Sequence, residues 1–446
     1  MGNVIARAFS SQSQHHRCRL RFFCVLLMLY LTKKLFGPAL LTILMRWHYT
    51  YTAETPKLVY RKTPANKKLL SHCITMTQQK YYPPWYMFNG HLQTVAFARD
   101  KRGPKINYQR QLLDMPDGGV VSLDWALLPG HGHSYESATD SSSSWIDGVD
   151  PTRRTVLLMP GLTGGSSEIY IRRTIARLHE LGWQCTVLNA RGCANTPVKT
   201  PQLFCTAYTK DLRFVLQQLS EKYNFAQEAF IAVGFSMGSN VLVKYLGEER
   251  DQTPLTGAIS VGNPFDLPKV AANLSSTMFN RFMYDKALNC NMRALFFDKS
   301  NAAEQFEGYP DLDMEAIRAS RTVREFDETC TKILFNYNSA DHFYEDASSV
   351  KKLRSVCIPL LCISAEDDPI CVNSVLPSRA LVEACPNVIL CVTKSGGHLA
   401  FYESPHDQGD GDSKSEKVPS KQEPIMWSAN PIVEFAEAVR LNKAKA

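Results

Sequence analysis

The pentapeptide Gly234-Phe235-Ser236-Met237-Gly238 sets a hydroxyl between two glycines. A serine hydroxyl is a weak nucleophile until a base takes its proton, and an imidazole base needs a carboxylate to fix its tautomer. Both partners follow later in the chain. Ala365-Glu366-Asp367-Asp368-Pro369 offers the acid and Lys394-Ser395-Gly396-Gly397-His398 the imidazole, each directly after an apolar run. The expected assignment is Ser236 as nucleophile, Asp368 as acid and His398 as base. Asp368 is preferred to its neighbour because Asp368-Pro369-Ile370 has the spacing of an acid before the next helix, whereas Asp367 is expected to cap the turn near Pro369. The loop Pro160-Gly161-Leu162-Thr163-Gly164-Gly165 follows an earlier apolar run. Its backbone N–H at Leu162, with that of Met237, is the expected pair of donors to a tetrahedral oxyanion.

A serine flanked by glycines is common by chance, so its position between elements has to decide. FIAVGF at 230–235 reads as a buried strand and 237–248 as a helix, which makes Ser236 the tip of a tight strand-to-helix turn. Side chains larger than glycine two positions away would collide there, and the helix N-terminus behind the serine stabilises negative charge. The same alternation runs through TVLLMPG at 155–161, a helix at 169–182, QCTVLNA at 184–190 and a helix at 206–223. It resumes with GAISVG at 257–262, PLLCIS at 359–364, a helix at 374–384 and VILCVT at 388–393. Continuous apolar strands alternating with helices imply a parallel sheet covered on both faces. Ahead of it, 105–114 and 119–128 about the turn Pro116-Asp117-Gly118-Gly119 read as a β-hairpin, and 57–80 as a Lys-rich connector. The rhythm breaks over 263–356, a helical stretch rich in Phe and Met, where a cap is expected. The expected organisation is therefore a basic tail and anchor at 1–50, a connector at 51–104, the first part of the domain at 105–262, the cap at 263–356 and the remainder at 357–446. Within that remainder 405–424 is a polar insert and 430–443 a terminal helix, while 129–154 is a polar surface loop.

Charge and hydropathy separate the two ends. Residues 1–110 contain eighteen Lys and Arg against Glu54 and Asp100, and the apolar runs at 22–32 and 35–45 lie within that basic end. Clustered cations beside apolar segments fit an anionic membrane surface. Nucleic acid is not expected, because no recognition motif accompanies the charge. Lys33 and Lys34 interrupt the apolar stretch, leaving three readings: one signal-anchor helix over 22–45, two segments lying in the interface, or a cleaved signal peptide. Cleavage ranks last, since no small-residue cleavage pattern follows the first run. The thirteen cysteines form no C-x-x-C pair and no zinc spacing, and those in apolar runs, such as Cys185, Cys362 and Cys391, are expected to be buried hydrophobes. No histidine pair has metal spacing and no phosphate-loop pattern is present, so neither metal nor cofactor is expected.

Further motifs extend the pattern. Gly90-His91-Leu92-Gln93-Thr94 follows Trp85, Asp117-Gly118-Gly119 precedes Asp124-Trp125, and Asn189-Ala190-Arg191-Gly192 precedes Thr200-Pro201. Asn263-Pro264-Phe265-Asp266-Leu267 and Glu325-Phe326-Asp327 lie farther on. With these the chain, from about 83 to 398, resembles the membrane-anchored α/β-hydrolase-domain subgroup, which includes monoacylglycerol and phospholipid lipases and fungal medium-chain ethyl-ester synthases. The resemblance implies an α/β-hydrolase fold, a mostly parallel eight-stranded sheet with helices on both faces and a helical cap. It also implies acyl-ester hydrolysis by Ser236, Asp368 and His398, lipid or acyl-ester substrates, and attachment to a membrane through the N-terminal segment. Arg191 and Asp327 are expected to be structural. The 129–154 loop, the 405–424 insert and His342-Phe343-Tyr344 depart from the subgroup's pattern and bear on substrate rather than chemistry. Two other readings stay open: acyl transfer to an alcohol at the same site, and a catalytically silent protein that uses the pocket to bind a ligand.

Overall fold

The computed structural model describes residues 47–128, 145–404 and 425–443, with single positions at 34, 37, 40, 43 and 44. The expectations made for the apolar run 22–32, for the loop over 129–144 and for the insert 405–424 fall outside these residues. The chain divides into two units, Met1–Ala53 and Glu54–Ala446. In the first, the described positions from Lys34 to Thr52 are helical and Leu40, Ile43, Leu44, Trp47 and Tyr51 are exposed. Among the described residues no helix is long and apolar enough to cross a membrane.

The second unit is built on a nine-stranded sheet. In chain order the strands are β1 (Lys57–Tyr60), β2 (Gln109–Asp114), β3 (Val120–Ala126), β4 (Thr155–Met159), β5 (Gln184–Asn189), β6 (Phe230–Phe235), β7 (Gly257–Val261), β8 (Leu360–Ala365) and β9 (Val388–Thr393). Across the sheet they run β1-β9-β8-β7-β6-β4-β5-β3-β2. The six from β9 to β5 are mutually parallel, and the β2–β3 hairpin and β1 close the two sides antiparallel. Strands β4 to β9 are buried at every residue, as their unbroken apolar runs require when both faces are covered.

Helices supply the cover. One face packs against α2 (Ile169–Glu180) and α6 (Ala429–Lys443), through side chains such as Ile171, Ile175, Ile432 and Phe435. The other packs against α3 (Lys210–Lys222) and α4 (Met237–Glu249), through Leu212, Leu216, Leu242 and Leu246. Two further elements matter to the site: α1 (Gly90–Arg99), between β1 and β2 in the chain, and α5 (Leu267–Ser276), which opens a run of short helices ending at Ser355. That run is the cap, and small apolar clusters tie it to neighbouring loops, one joining Phe296, Phe306 and Phe326 to Val198 and Leu203.

The sheet has nine strands rather than eight because Lys57–Tyr60, inside the stretch read as a connector, pairs with β9. An exposed lysine and three half-exposed residues beside Arg61 and Lys62 give little periodicity, and a short charged edge is how sheets avoid edge-to-edge pairing. The rest of that connector is also ordered, since Leu69, Leu70, Cys73 and Met76 are core residues. The helix expected at 374–384 is broken at Pro377 into a single turn, Asn373–Val375, and a helix, Arg379–Ala384.

The glycine turn and the Arg191 motif explain each other. Arg191 is buried and donates two hydrogen bonds to Asp211, at 2.7 and 2.8 Å, and two to Asp117, at 2.7 and 3.1 Å. A Cβ on Gly119 would collide with the guanidinium, so the hairpin turn has to be bare there. Arg191→Ala leaves Asp211 buried without its cation and is expected to destabilise the fold by about 3 kcal/mol or more, the usual result of breaking a buried pair. Urea titration measures it, and an unchanged midpoint would contradict the structural role.

Candidate active site

Ser236 joins β6 to α4 with φ 49° and ψ −117°, a conformation costing a residue other than glycine on the order of 1–3 kcal/mol. The flanking glycines make it possible. A Cβ on Gly234 would stand 2.5 Å from Ser239 Cα, and one on Gly238 would be 2.5 Å from the Met159 carbonyl oxygen. Backbone therefore meets backbone on both sides of the serine, while its N–H is tied to Val261 O at 2.8 Å. The hydroxyl is left at the edge of the sheet where β4, β8 and β9 also end.

His398, from the loop after β9, reaches this hydroxyl. Its Nε2 lies 2.9 Å from Ser236 Oγ and its Nδ1 2.9 Å from Asp368 Oδ2. Asp368, after β8, is buried, and its Oδ1 accepts the N–H groups of Ile370 and Cys371, each at 2.8 Å. One carboxylate oxygen thus braces its own loop and leaves the other for the imidazole. The turn-capping role expected of Asp367 near Pro369 falls instead to Asp368. Asp367 reaches the other way, with Oδ1 accepting the Gly397 N–H at 2.9 Å. Burial, aided by the neighbouring Asp368, holds the Asp367 carboxyl above the ordinary range, against the lowering effect of that bond.

A third support comes from more than 300 residues away in the chain. The His398 N–H donates to Thr94 Oγ1 at 2.8 Å, and the Thr94 hydroxyl donates to Gly90 O at 2.7 Å within α1. Asn89 caps that helix, its Oδ1 accepting the Leu92 N–H. A Cβ on Gly90 would collide with the Asp367 carbonyl, and one on Gly397, at φ 58°, would lie 2.6 Å from Gly90 O. Gln93 is fully buried and its Oε1 accepts the Tyr402 N–H at 3.2 Å. Gly90, Thr94 and Asp367 thus position the imidazole, a task that sequence reasoning did not assign to them. Their signal was present in the motif after Trp85, whose spacing alone discloses no partner.

The loop after β4 is fixed by Tyr170 of α2, whose buried hydroxyl accepts the Gly161 N–H at 2.9 Å. Burial raises that phenol well above its ordinary range, so it stays neutral. Thr163 turns the loop at φ 58°. The N–H groups of Leu162 and Met237 have no hydrogen-bond partner among the described residues, and both residues line the cavity that holds Ser236 and His398.

That cavity has a volume of about 160 Å³ and lies between the sheet edge and the cap. Leu203, Leu274, Phe296, Phe326, Leu334 and Phe343 form much of its wall. Asp327 is the carboxyl group among the lining residues. It accepts from Thr331 Oγ1 at 2.6 Å and from Tyr344 Oη at 2.8 Å, and burial raises its pKa to about 6. Donor atoms of Asp368, Cys371 and His398 fall within 4.8 Å of one another. They suit a metal poorly: burial keeps the Cys371 thiol protonated and donating to Gly262 O, while the other two groups bind each other.

Comparison with known proteins agrees with the architecture. Residues 154–405 match the family described as alpha/beta hydrolase fold, and the chain belongs to that family. Within it, the chain is 34% identical over 337 residues to embryogenesis-associated protein EMB8 of Picea glauca, covering 76% of this chain and 70% of that protein. It is 33% identical over 361 residues to phospholipase ABHD3 of Homo sapiens, covering 80% and 82%. Over 342 residues it is 31% identical to a monoacylglycerol lipase of Saccharomyces cerevisiae, covering 71% and 75%.

Gly90→Ala forces a methyl group into the Asp367 carbonyl and is expected to destabilise the domain by about 1–3 kcal/mol, the usual cost of overpacking. Hydrogen exchange in the peptides around 367 and 397 should accelerate with it. A variant of unchanged melting temperature and exchange would contradict the close approach.

Proposed function

We propose that the chain is a serine hydrolase that cleaves acyl esters of lipids, with Ser236, His398 and Asp368 as its catalytic triad. The observation that carries the reading is the hydrogen-bonded series from Asp368 through His398 to Ser236, opening onto an apolar cavity. Ser236 Oγ attacks the ester carbonyl as its proton passes to His398 Nε2, and Asp368 holds the imidazolium that forms. The carbonyl electrons move to an oxyanion received by the N–H groups of Leu162 and Met237, donors of a kind worth about 2.7–4 kcal/mol each in the transition state. His398 then gives its proton to the departing alcohol, which leaves an acyl group on Ser236. Water, deprotonated by His398, releases the acid and restores the hydroxyl. The acyl chain occupies the cavity between Leu203, Leu274 and Phe296. Relatives named as a phospholipase and a monoacylglycerol lipase support a lipid ester as substrate.

Ser236→Ala should reduce turnover of a panel of lipid and short-chain esters on the order of a millionfold without unfolding the protein. Asp368→Asn should cost up to about ten thousandfold, because an amide favours the wrong imidazole tautomer. Asp367→Asn keeps an acceptor for the Gly397 N–H and should cost less than about tenfold. Retained hydrolysis in folded Ser236→Ala would sink the assignment, and a larger loss at Asp367 than at Asp368 would exchange their roles.

Membrane attachment through residues 1–50 is part of the same proposal. It rests on the apolar runs and the excess of Lys and Arg in that region. Removing residues 1–50 should move the protein from the membrane to the soluble fraction while turnover of short soluble esters persists. Recovery with membranes after a carbonate wash would place the attachment elsewhere.

A further inference from the structure

Fifteen large apolar side chains are exposed among the described residues, and their distribution is uneven. Five belong to Met1–Ala53, and Ile74, Leu181 and Ile425 stand apart in sequence. The other seven fall in two short stretches of the hydrolase unit: Trp85, Tyr86, Phe88 and Leu92 ahead of and within α1, and Met278, Phe279 and Phe282 just after α5. Single exposed apolar residues are ordinary, whereas a concentration of aromatic ones marks a binding surface.

The two stretches meet at His91. Its ring lies 5.1 Å edge-on from that of Phe279 and stacks on Tyr284 at 5.7 Å, with Nδ1 2.7 Å from the Tyr284 hydroxyl. Both are also rooted on the loop that carries the triad acid. Gly90 abuts the Asp367 carbonyl, Asn273 of α5 donates to Pro369 O at 2.8 Å, and Asn280 donates to Asn273 O at 2.9 Å. On its other side α5 faces the cavity with Val270 and Leu274. One helix thus runs from the substrate cavity into the exposed surface.

Charge selects the occupant. Across 80–92 the ionic residue is Lys80, which is exposed. Across 278–290 Arg281 and Lys286 are exposed, while the single acid, Asp285, is buried and accepts the Val323 N–H at 2.7 Å. Exposed Trp, Tyr, Phe and Met beside exposed cations match the boundary of an anionic bilayer, where aromatic edges meet headgroups and apolar side chains enter the acyl region.

We propose that the surface formed by Trp85, Tyr86, Phe88 and Leu92 with Met278, Phe279 and Phe282 is where the hydrolase domain seats on an anionic lipid bilayer. This deepens the lipid-ester reading and rests on it. Seating there holds the loop of Asp368 and the inner wall of α5 close to the store of substrate, independently of the N-terminal segment.

The test uses the full chain with vesicles of phosphatidylcholine containing about one-third phosphatidylserine, a composition that gives a negative surface potential. Hydrogen exchange with and without vesicles should slow in the peptides covering 85–92 and 278–284. The double variants Trp85→Ser with Phe88→Ser and Phe279→Ser with Phe282→Ser should turn over a short soluble ester at the unaltered rate. Their turnover of an ester carried in the vesicles should fall about tenfold or more. Protection confined to residues 1–53, or equal losses on soluble and vesicle-borne ester, would overturn the proposal. So would protection of the same peptides by concentration alone without lipid, which assigns the face to a second copy of the chain. Failure of the hydrolase reading looks different: the unaltered protein would cleave neither ester, while exchange would still report whether the surface seats.

Discussion

A serine presented at the tip of a strand-to-helix turn demands that three stretches of backbone pass closer than any side chain allows. Ser236 adopts φ 49° because β6 ends and α4 begins within one residue. Gly234 faces Ser239, and Gly238 faces Met159 and Pro160, without a Cβ between them. Such a turn survives only where its surroundings over-determine it. Here β6 is buried at all six residues and lies between β4 and β7, with α4 buried along most of its length. The parallel order of the sheet then decides everything nearby, since the ends of β4, β8 and β9 come to the same edge as the serine. The loops carrying Leu162, Asp368 and His398 inherit their positions from that arrangement.

Position along an edge is coarser than hydrogen-bond geometry, and the finer adjustment is made from outside the parallel sheet. Helix α1 and Asp367 hold the His398 loop from two directions, through Thr94 and through the Gly397 N–H. Asp368 divides its two oxygens between its own loop and the imidazole. Two adjacent carboxylates therefore do different work, one orienting the ring and the other the backbone beneath it. The cap adds its constraint through α5, whose Asn273 holds Pro369 O while Leu274 walls the cavity.

What could be read in the sequence follows from the kind of interaction involved. Strands buried on both faces announce themselves as unbroken apolar runs, so FIAVGF and VILCVT were legible to the residue. Lys57–Tyr60 was not, because a four-residue edge strand with no buried position satisfies its hydrogen bonds with β9, far along the chain, and carries no pattern of its own. Pro377 breaks a helix that composition alone would have continued. Side-chain partnerships across the fold left the faintest trace. Asp367 looked like a local cap, and the role of Gly90 as a gap for a carbonyl exists only once α1 is placed against the acid loop. Residue types and chain order could propose Ser236, Asp368 and His398, but not the groups that hold them.

The central claim is that the Ser236 hydroxyl is activated by the folded arrangement around it and is not merely present. Reaction of the native full chain with a fluorophosphonate probe, followed by peptide mass spectrometry, tests this directly, because the probe phosphonylates serines whose proton has a base to take it. The account predicts a single modified residue, Ser236, labelled in the folded protein and unlabelled after denaturation. A folded chain in which Ser236 stays unmodified, or in which the label falls on another serine, would contradict it.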